Sequence, residues 1–300
     1  MMDSENKSCP LCHSGTGKDY IRVRDFFLSG ESFLLLKCSN CGFVYTAGVP
    51  APNEIGKYYK SDEYVSHSDT RKGVMNRLYH TARSIMLYLK FRMVRNESEG
   101  DRLLDIGCGT GYFPAYMQRR GFGVNGVEVD PAAAQFARKT FGLNVATPAE
   151  FLNREIQGYF DIITLWHVLE HLDDFDLYID RMLEYLLPGG LLVIALPNCS
   201  SPDARHYKEY WAGYDVPRHL WHFTPSTFKV LADKHRLKII KMKRLPLDPF
   251  YNSMLSEKYR KSRFFMIKGT IIGKLAYLES LFSLKKSSSV VYFLKRKSDS

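Results

Sequence analysis

A glycine-rich turn directly after an apolar segment is the feature that most constrains the fold of this chain. Residues Arg102–Ile106 have the composition of a buried strand, and Gly107, Gly109 and Gly111 follow at once. Glycine allows a tight backbone turn and lets a ligand approach the main chain closely. A helix is predicted over residues 112–120, and the free N–H groups at its start favour a negative group such as a carboxylate.

The same alternation of strands and helices continues along the chain, which is typical of a parallel, doubly wound sheet. We therefore predict an α/β fold with a Rossmann-like, mostly parallel sheet. Asp130 and Thr224 are expected to cap two of its helices. The further strands are predicted at residues 123–129, 143–146, 160–166, 191–196, 237–245 and 290–297, and the further helices at 131–141, 175–187 and 225–235.

Four cysteines form two C-x-x-C pairs that are separated by 25 residues. They are Cys9, Cys12, Cys38 and Cys41. Each pair can fold as a knuckle whose thiolates face one ion, and two knuckles complete the tetrahedral site of structural zinc. Catalytic zinc is less favoured, because a catalytic site keeps one position open. With short strands predicted at residues 20–23 and 32–37, the pattern indicates a zinc-ribbon-like module over residues 1–48.

Two carboxylates accompany the glycine turn. Asp105 lies two residues before Gly107, and Glu128 ends the next predicted strand, 21 residues after Gly107. A carboxylate at the end of that second strand can accept two hydrogen bonds from a ribose diol. The spacing therefore predicts a ribose-containing ligand at this edge of the sheet.

The run Leu103-Leu-Asp-Ile-Gly-Cys-Gly-Thr-Gly111 resembles the first motif of the class I S-adenosylmethionine-dependent methyltransferases. The resemblance covers about residues 71–245. It implies a seven-stranded sheet whose last strand runs antiparallel. It also implies that the turn, with Cys108 in it, faces the methionine part of the cofactor, that Asp105 orients the cofactor amine, and that Glu128 holds the ribose. The loop at residues 147–150 is expected near the adenine.

Two polar clusters, residues 165–171 and 215–223, follow the fourth and fifth predicted strands and resemble those of the small-molecule branch of this family. Ligands of parallel sheets bind beyond the carboxyl ends of the strands, so we expect Trp166 to border the cofactor and both clusters to line the acceptor site. Arg218 is a candidate for binding an anionic group of the substrate. Histidine suits proton transfer near neutral pH, and the candidate bases are His167, His171, His219 and His222.

Charge is distributed unevenly along the chain. Residues 201–300 hold 21 Lys and Arg against 8 Asp and Glu, whereas residues 101–200 hold 7 against 13. The segment 246–289, between the last two predicted strands, mixes apolar and basic side chains. We predict that it is a lid for an apolar or lipid-linked anionic acceptor, and the hypothesis extends to contact with a membrane surface. A helix that only covers the sheet is the alternative.

The remaining organisation follows from these segments. Residues 49–100 are predicted to form a linker and a covering helix, and residues 101–245 with 290–300 the catalytic core. The N-terminus lacks the apolar stretch of a secretory signal, and the apolar segment near the C-terminus is interrupted by charges. The sequence therefore favours a cytoplasmic protein, in which the thiols stay reduced.

These features together predict an S-adenosylmethionine-dependent methyltransferase that acts on an oxygen or carbon of a small-molecule, lipid-linked or sugar-linked acceptor. An RNA methyltransferase is one alternative, because the basic last third suits phosphates, but the Asn/Asp-Pro-Pro-Tyr/Phe segment of base-amine methylation is absent. A non-catalytic module that binds the cofactor and a partner protein is another. A nicotinamide-dependent dehydrogenase fits least, since G-x-G-x-G departs from its G-x-G-x-x-G spacing.

Overall fold

The computed structural model describes residues 8–51, 54–59 and 74–297, and residues 74–79 by their backbone alone. Part of the predicted linker therefore lies outside the described residues. The strands are β1 (Gly17–Arg24), β2 (Ser32–Cys38), β3 (Val44–Thr46), β4 (Arg102–Ile106), β5 (Gly123–Val127), β6 (Asn144–Ala146), β7 (Phe160–Trp166), β8 (Leu186–Pro197), β9 (Trp221–His222), β10 (Leu237–Arg244) and β11 (Ser289–Arg296). The α-helices are α1 (Val74–Arg95), α2 (Tyr112–Gln118), α3 (Pro131–Phe141), α4 (Pro148–Leu152), α5 (Phe175–Tyr185), α6 (Pro202–Tyr207), α7 (Pro225–Lys234), α8 (Asp248–Tyr259) and α9 (Phe265–Phe282).

The larger sheet confirms the predicted seven-stranded, Rossmann-like fold. Its strand order is β10-β11-β8-β7-β4-β5-β6. The neighbours from β8 to β6 pair in parallel, whereas β11 is antiparallel to both β8 and β10. Central strand residues such as Leu104, Ile163 and Val193 have no exposed surface. The central strands are apolar on both faces because a parallel sheet is covered on both faces.

Local capping chemistry sets where the helices begin. The Asp130 side chain accepts the Ala132 N–H at the start of α3, and Thr224 forms a capping box with Thr227 at the start of α7. Both predicted caps are confirmed, since an N-cap oxygen satisfies a backbone donor that the helix leaves free. Strand β8 begins at Leu186, five residues before the predicted start, because Leu186 is buried and pairs with Phe160.

The smaller sheet joins the N-terminal module to the core. Its order is β1-β2-β3-β9, and β9 comes from the second polar cluster of the core. Phe43 contacts Trp221 and Phe223 of the core, with ring centroids 6.2 and 5.0 Å away. The expected module at residues 1–48 thus supplies three strands of a sheet that the core completes, and Phe43 shares one apolar cluster with Phe223 of the core.

A buried ion pair fixes the same junction. Arg218, 2% exposed, donates to Asp25 at 3.0 Å, to Asp215 at 2.7 Å and to the Tyr58 carbonyl at 3.0 Å. Asp25 also accepts backbone N–H groups of the turn that follows β1. The expectation that Arg218 binds an anionic substrate group is wrong, because protein groups already occupy this buried guanidinium.

The segment between β10 and β11 forms a hairpin of the helices α8 and α9. Gly269 and Gly273 of α9 allow close packing, since a Cβ at these positions would lie 2.5 Å from the Cα of Met254 and 2.7 Å from the Cα of Phe250. In the part of the chain that the structure describes, we find no helix with the length and apolar character needed to cross a membrane.

We expect Asp25→Asn to lower the free energy of unfolding by about 3 kcal/mol, because it removes one charge of a buried pair and keeps the side-chain volume. Urea denaturation followed by circular dichroism measures the change. Arg154→Gln is the matched control: it breaks the exposed Arg154–Glu184 pair and should leave the stability close to that of wild type. Equal stability losses in the two variants would contradict the role given to Asp25.

Candidate functional site

The glycine turn between β4 and α2 is open at one of its three glycines and packed at the other two. All three have left-handed backbone angles, with φ of +69° at Gly107, +55° at Gly109 and +81° at Gly111. A Cβ at Gly107 would lie 2.4 Å from the Val168 side chain, but a Cβ at Gly109 would meet nothing within 4 Å. The backbone at Gly109 is therefore the point where a ligand can approach the turn.

The Glu128 carboxylate lies directly against this open point. One oxygen accepts the Gly109 N–H at 2.6 Å, and the other accepts the Asp130 N–H at 2.9 Å. Each carboxylate oxygen has a second lone pair, so each can still accept a hydrogen bond from a ligand hydroxyl. The two backbone donors hold the carboxylate in place, which preorganises it for a diol.

Asp105 is buried beneath the turn at 3% exposure and accepts a hydrogen bond from the Thr164 hydroxyl at 2.5 Å. Burial raises the pKa of Asp105 to about 7, while the Thr164 hydrogen bond and the positive charge of Lys90 act in the opposite direction. A carboxyl group that titrates near neutral pH can exchange a proton with a bound amine.

Trp166 and Cys108 contribute in different ways. The Trp166 ring packs edge-on against Phe113, with centroids 5.4 Å apart, and the Lys90 ammonium lies 4.4 Å from the Trp166 ring centroid. The Trp166 indole N–H is buried and has no hydrogen-bond partner among the described residues. The Cys108 thiol instead lies against Gly126, where an added Cβ would be 2.6 Å from the sulfur. The sulfur also lies 3.8 Å from the Gly109 carbonyl oxygen, so the side chain of Cys108 borders the turn from its buried side.

The loop expected near the adenine is occupied by a capping box. The Thr147 side chain accepts the Glu150 N–H, and the Glu150 carboxylate accepts the Thr147 N–H at 2.6 Å. These polar groups satisfy one another at the start of α4. A contact with the adenine through this loop stays a prediction.

His167, the first residue after β7, lies between two carboxylates. Its Nε2 is 3.1 Å from Asp248 at the start of α8, and its Nδ1 is 3.5 Å from Glu170. Burial by itself lowers the pKa of His167, but the nearby carboxylates of Asp248 and Glu170 outweigh burial and raise the pKa to about 9. The imidazole is therefore a cation at neutral pH. It also has a left-handed backbone, with φ of +59°, a conformation that is uncommon for non-glycine residues.

His171 and His219 form a second pair beside Glu170. Their ring centroids are 4.5 Å apart, and both donate from Nδ1 to backbone carbonyls, His171 to Arg218 at 3.1 Å and His219 to Gly213 at 2.9 Å. Burial lowers the pKa of His171 to about 4, so this ring is neutral at neutral pH. Together with Glu170, the two histidines offer ligand atoms within 4.8 Å of one another, close enough to hold one ion.

His222 lies away from these groups in β9, within the smaller sheet. It is 2% exposed, and its Nε2 is 3.0 Å from the Thr46 hydroxyl. Burial lowers its pKa well below the usual value for histidine. These contacts indicate a structural role at the junction of the module and the core.

The structure brings two further residues to the site that the sequence analysis did not select. Lys90 of α1 lies near Asp105 and Asp248, whose charges oppose the lowering of its pKa by burial. A signal was present, because Lys90 lies four residues after Met86 and three before Met93, on the apolar face of the helix. Asp248 gave no such signal, because its contact with His167 joins segments 81 residues apart.

The four cysteine sulfurs of the N-terminal module converge as predicted. The Cys9 and Cys41 sulfurs are 3.7 Å apart, as are those of Cys12 and Cys38, and all four lie within 4.8 Å of one another. A tetrahedral zinc ion with Zn–S bonds of about 2.3 Å requires sulfurs about 3.8 Å apart. The donor set and its spacing therefore fit zinc.

The His167 imidazole should titrate near pH 9, and Asp248→Asn should move this titration to lower pH because a stabilising negative charge is lost. NMR of 13C-labelled histidines measures it, with Asp173→Asn as a control at an exposed acid. The folded pKa lies above the unfolded value of 6.5, so the associated stability is complete below pH 6.5 and is lost as the pH rises through about 9. A wild-type titration near pH 6.5 would show that the two carboxylates do not act in this way.

Comparisons with known proteins agree with this geometry. Residues 78–241 match a family model described as a methyltransferase domain. The ubiquinone biosynthesis O-methyltransferase of Chelativorans sp. is 39% identical over 106 residues, which cover 33% of this chain and 42% of that protein. Its counterpart from Caulobacter sp. is 38% identical over 111 residues, covering 35% and 44%. The chain thus spans less than half the length of these relatives.

A solved structure shows the same fold over most of the chain. It is the magnesium protoporphyrin IX methyltransferase from Synechocystis PCC 6803 with bound SAH, at a TM-score of 0.51 and 13% identity, and the match covers 82% of this chain and 100% of that one. The family model spans more than half of the 300 residues and includes the glycine turn, Glu128 and His167. This chain therefore belongs to the methyltransferase domain family.

Proposed function

We propose that this protein transfers a methyl group from S-adenosylmethionine to an oxygen atom of a small, lipid-linked molecule. The observation that carries the proposal is the Glu128 carboxylate, held by Gly109 and Asp130 against the open part of the glycine turn. The relatives are named ubiquinone biosynthesis O-methyltransferases, which supports oxygen as the acceptor atom and a lipid-linked acceptor. They favour this function over RNA methylation and over a non-catalytic role.

The residues of the turn fit this cofactor. S-adenosylmethionine supplies a methyl group on a positively charged sulfur. The free lone pairs of Glu128 suit the two ribose hydroxyls, and Asp105 lies below the turn to orient the amine. The unpartnered indole N–H of Trp166 offers a donor at the same edge. A Cβ at Gly109 would meet no atom within 4 Å, so the backbone there leaves room for the methionine part of the cofactor.

His167 is the histidine that we assign to the acceptor. An oxyanion is the stronger nucleophile for methyl transfer, and the imidazolium can donate to it when the acceptor oxygen takes the place of the Glu170 contact, which at 3.5 Å is the longer of the two carboxylate contacts. Asp248 and Glu170 keep the ring protonated and oriented. His171 and His219, fixed by backbone carbonyls, position the adjacent wall. His167 is therefore the candidate catalytic residue, whereas we assign a structural role to His222.

We also propose that Cys9, Cys12, Cys38 and Cys41 bind one structural zinc ion. The support is the sulfur spacing of 3.7 Å within the Cys9–Cys41 and Cys12–Cys38 pairs, together with the convergence of all four sulfurs within 4.8 Å. Because β9 of the core completes the sheet of this module, we infer that the module and the core fold as one unit rather than as separate domains.

The cofactor assignment is tested by titrating S-adenosylhomocysteine into wild type and Glu128→Ala by calorimetry. We expect binding to weaken about 100-fold or more, because two hydrogen bonds to a charged group are lost. Glu155→Gln, a carboxylate outside the site, should bind as wild type does. Unchanged affinity in Glu128→Ala, or no binding by folded wild-type protein, would refute the proposal.

The zinc assignment predicts one zinc ion per chain by elemental analysis of the purified protein. Cys38→Ser should lower that content and the melting temperature, because a structural metal contributes binding free energy to folding. Cys199→Ser, which alters a buried thiol outside the cluster, should keep its zinc. Full occupancy in Cys38→Ser, or wild-type protein without zinc after expression in zinc-supplied medium, would argue against the site.

A further inference from the structure

Helix α9 buries its smallest side chains and exposes its largest. Its buried residues face α8 and are Gly269, Gly273, Ala276 and Ser280. Nine large apolar side chains from Phe264, just before the helix, to Phe282 are exposed; six of these, 41–91% exposed, are Phe264, Ile267, Ile271, Leu275, Leu278 and Phe282. A helix that only covers a sheet turns its large apolar side chains inward, so α9 has the reverse of the expected arrangement.

The six exposed side chains form one continuous stripe, which we call the α9 stripe. They are spaced three or four residues apart, which places them on one face of the helix. At 1.5 Å per residue, the stripe is about 27 Å long. An exposed apolar surface of this extent marks a binding face rather than ordinary surface variation.

Basic side chains border the α9 stripe on both sides. At about 100° per residue, Lys268 and Lys274 lie about 60° to either side of its centre. Both lysines are exposed. Residues 257–286 as a whole contain eight Lys and Arg against two Asp and Glu. An apolar centre with a positive border is complementary to a surface that is apolar inside and negative at its edge.

We propose that the α9 stripe docks this protein on the surface of a membrane that contains anionic lipids. The apolar side chains enter the boundary between headgroups and acyl chains, and Lys268 and Lys274 extend their stems along it to reach the phosphates. A second copy of this chain is the less suitable occupant, because a two-fold contact through the stripe brings the lysine borders of both copies together.

The position of α9 connects this surface to the candidate active site. It packs on α8, and α8 begins at Asp248, whose carboxylate is 3.1 Å from His167. A docked α9 therefore holds the site close to the lipid phase, where an acceptor with an apolar tail resides. This delivery of the acceptor rests on the proposed function, whereas the docking itself does not.

The test is flotation of the full-length protein with vesicles of phosphatidylcholine alone or mixed with one quarter phosphatidylglycerol. We expect the mixed vesicles to bind the wild-type protein. The combined Ile267→Ser, Ile271→Ser and Leu275→Ser variant should lose binding by about 100-fold or more, because three apolar side chains no longer leave water. Lys268→Gln with Lys274→Gln should weaken binding to the mixed vesicles by about tenfold.

The matched control carries three serine substitutions at exposed apolar side chains elsewhere, Tyr159→Ser, Leu177→Ser and Val230→Ser. It should bind vesicles as wild type does. The proposal is overturned if wild type fails to float with mixed vesicles or if the stripe variant floats equally well. Light scattering that shows a dimer in wild type and a monomer in the stripe variant, without vesicle binding, would assign the stripe to self-association instead. Calorimetry with S-adenosylhomocysteine separates the two proposals, since the stripe variant should retain wild-type affinity.

Discussion

The buried guanidinium of Arg218 is the interaction on which the arrangement of this protein depends. It binds Asp25 of the N-terminal module, Asp215 of the core and the Tyr58 carbonyl of the connecting segment. A charge in such surroundings persists only when every partner is in place, because desolvation is costly. The pairing therefore fixes the module on the core and holds the segment that carries His219. Strand β9, three residues further on, completes the sheet of the module.

At the carboxyl edge of the large sheet, the surroundings give two histidines, His167 and His171, different protonation states. His167 has Asp248 and Glu170 as neighbours, and its pKa rises to about 9. His171 is buried beside another histidine, and its pKa falls to about 4. Desolvation acts on both rings, but two carboxylates contact the nitrogens of His167 directly, whereas the charge of His219 adds to the lowering of the pKa of His171. One sheet edge thus presents an imidazolium paired with two carboxylates beside a neutral ring.

The insertion between β10 and β11 gives the fold an exposed apolar surface close to the candidate site. Close packing at Gly269 and Gly273 lets α9 lie against α8 with its small side chains inward, which turns its large ones outward. The first residue of α8, Asp248, contacts His167. The hairpin therefore contacts the candidate site at one end and offers an apolar stripe to its surroundings along the other helix.

Short-range patterns in the sequence determined the seven strands of the larger sheet, the caps at Asp130 and Thr224, the glycine turn and the convergence of the four cysteines. Each depends on residues that are close in the chain or on a motif with a fixed geometry. The pairing of β9 with β3, the burial of Arg218 and the contact of Asp248 with His167 depend on segments that meet only after folding. Tertiary structure alone decided which charged side chains are neutralised inside the protein and which remain available at the site, because burial and partner distance, rather than residue type, set their charge and exposure.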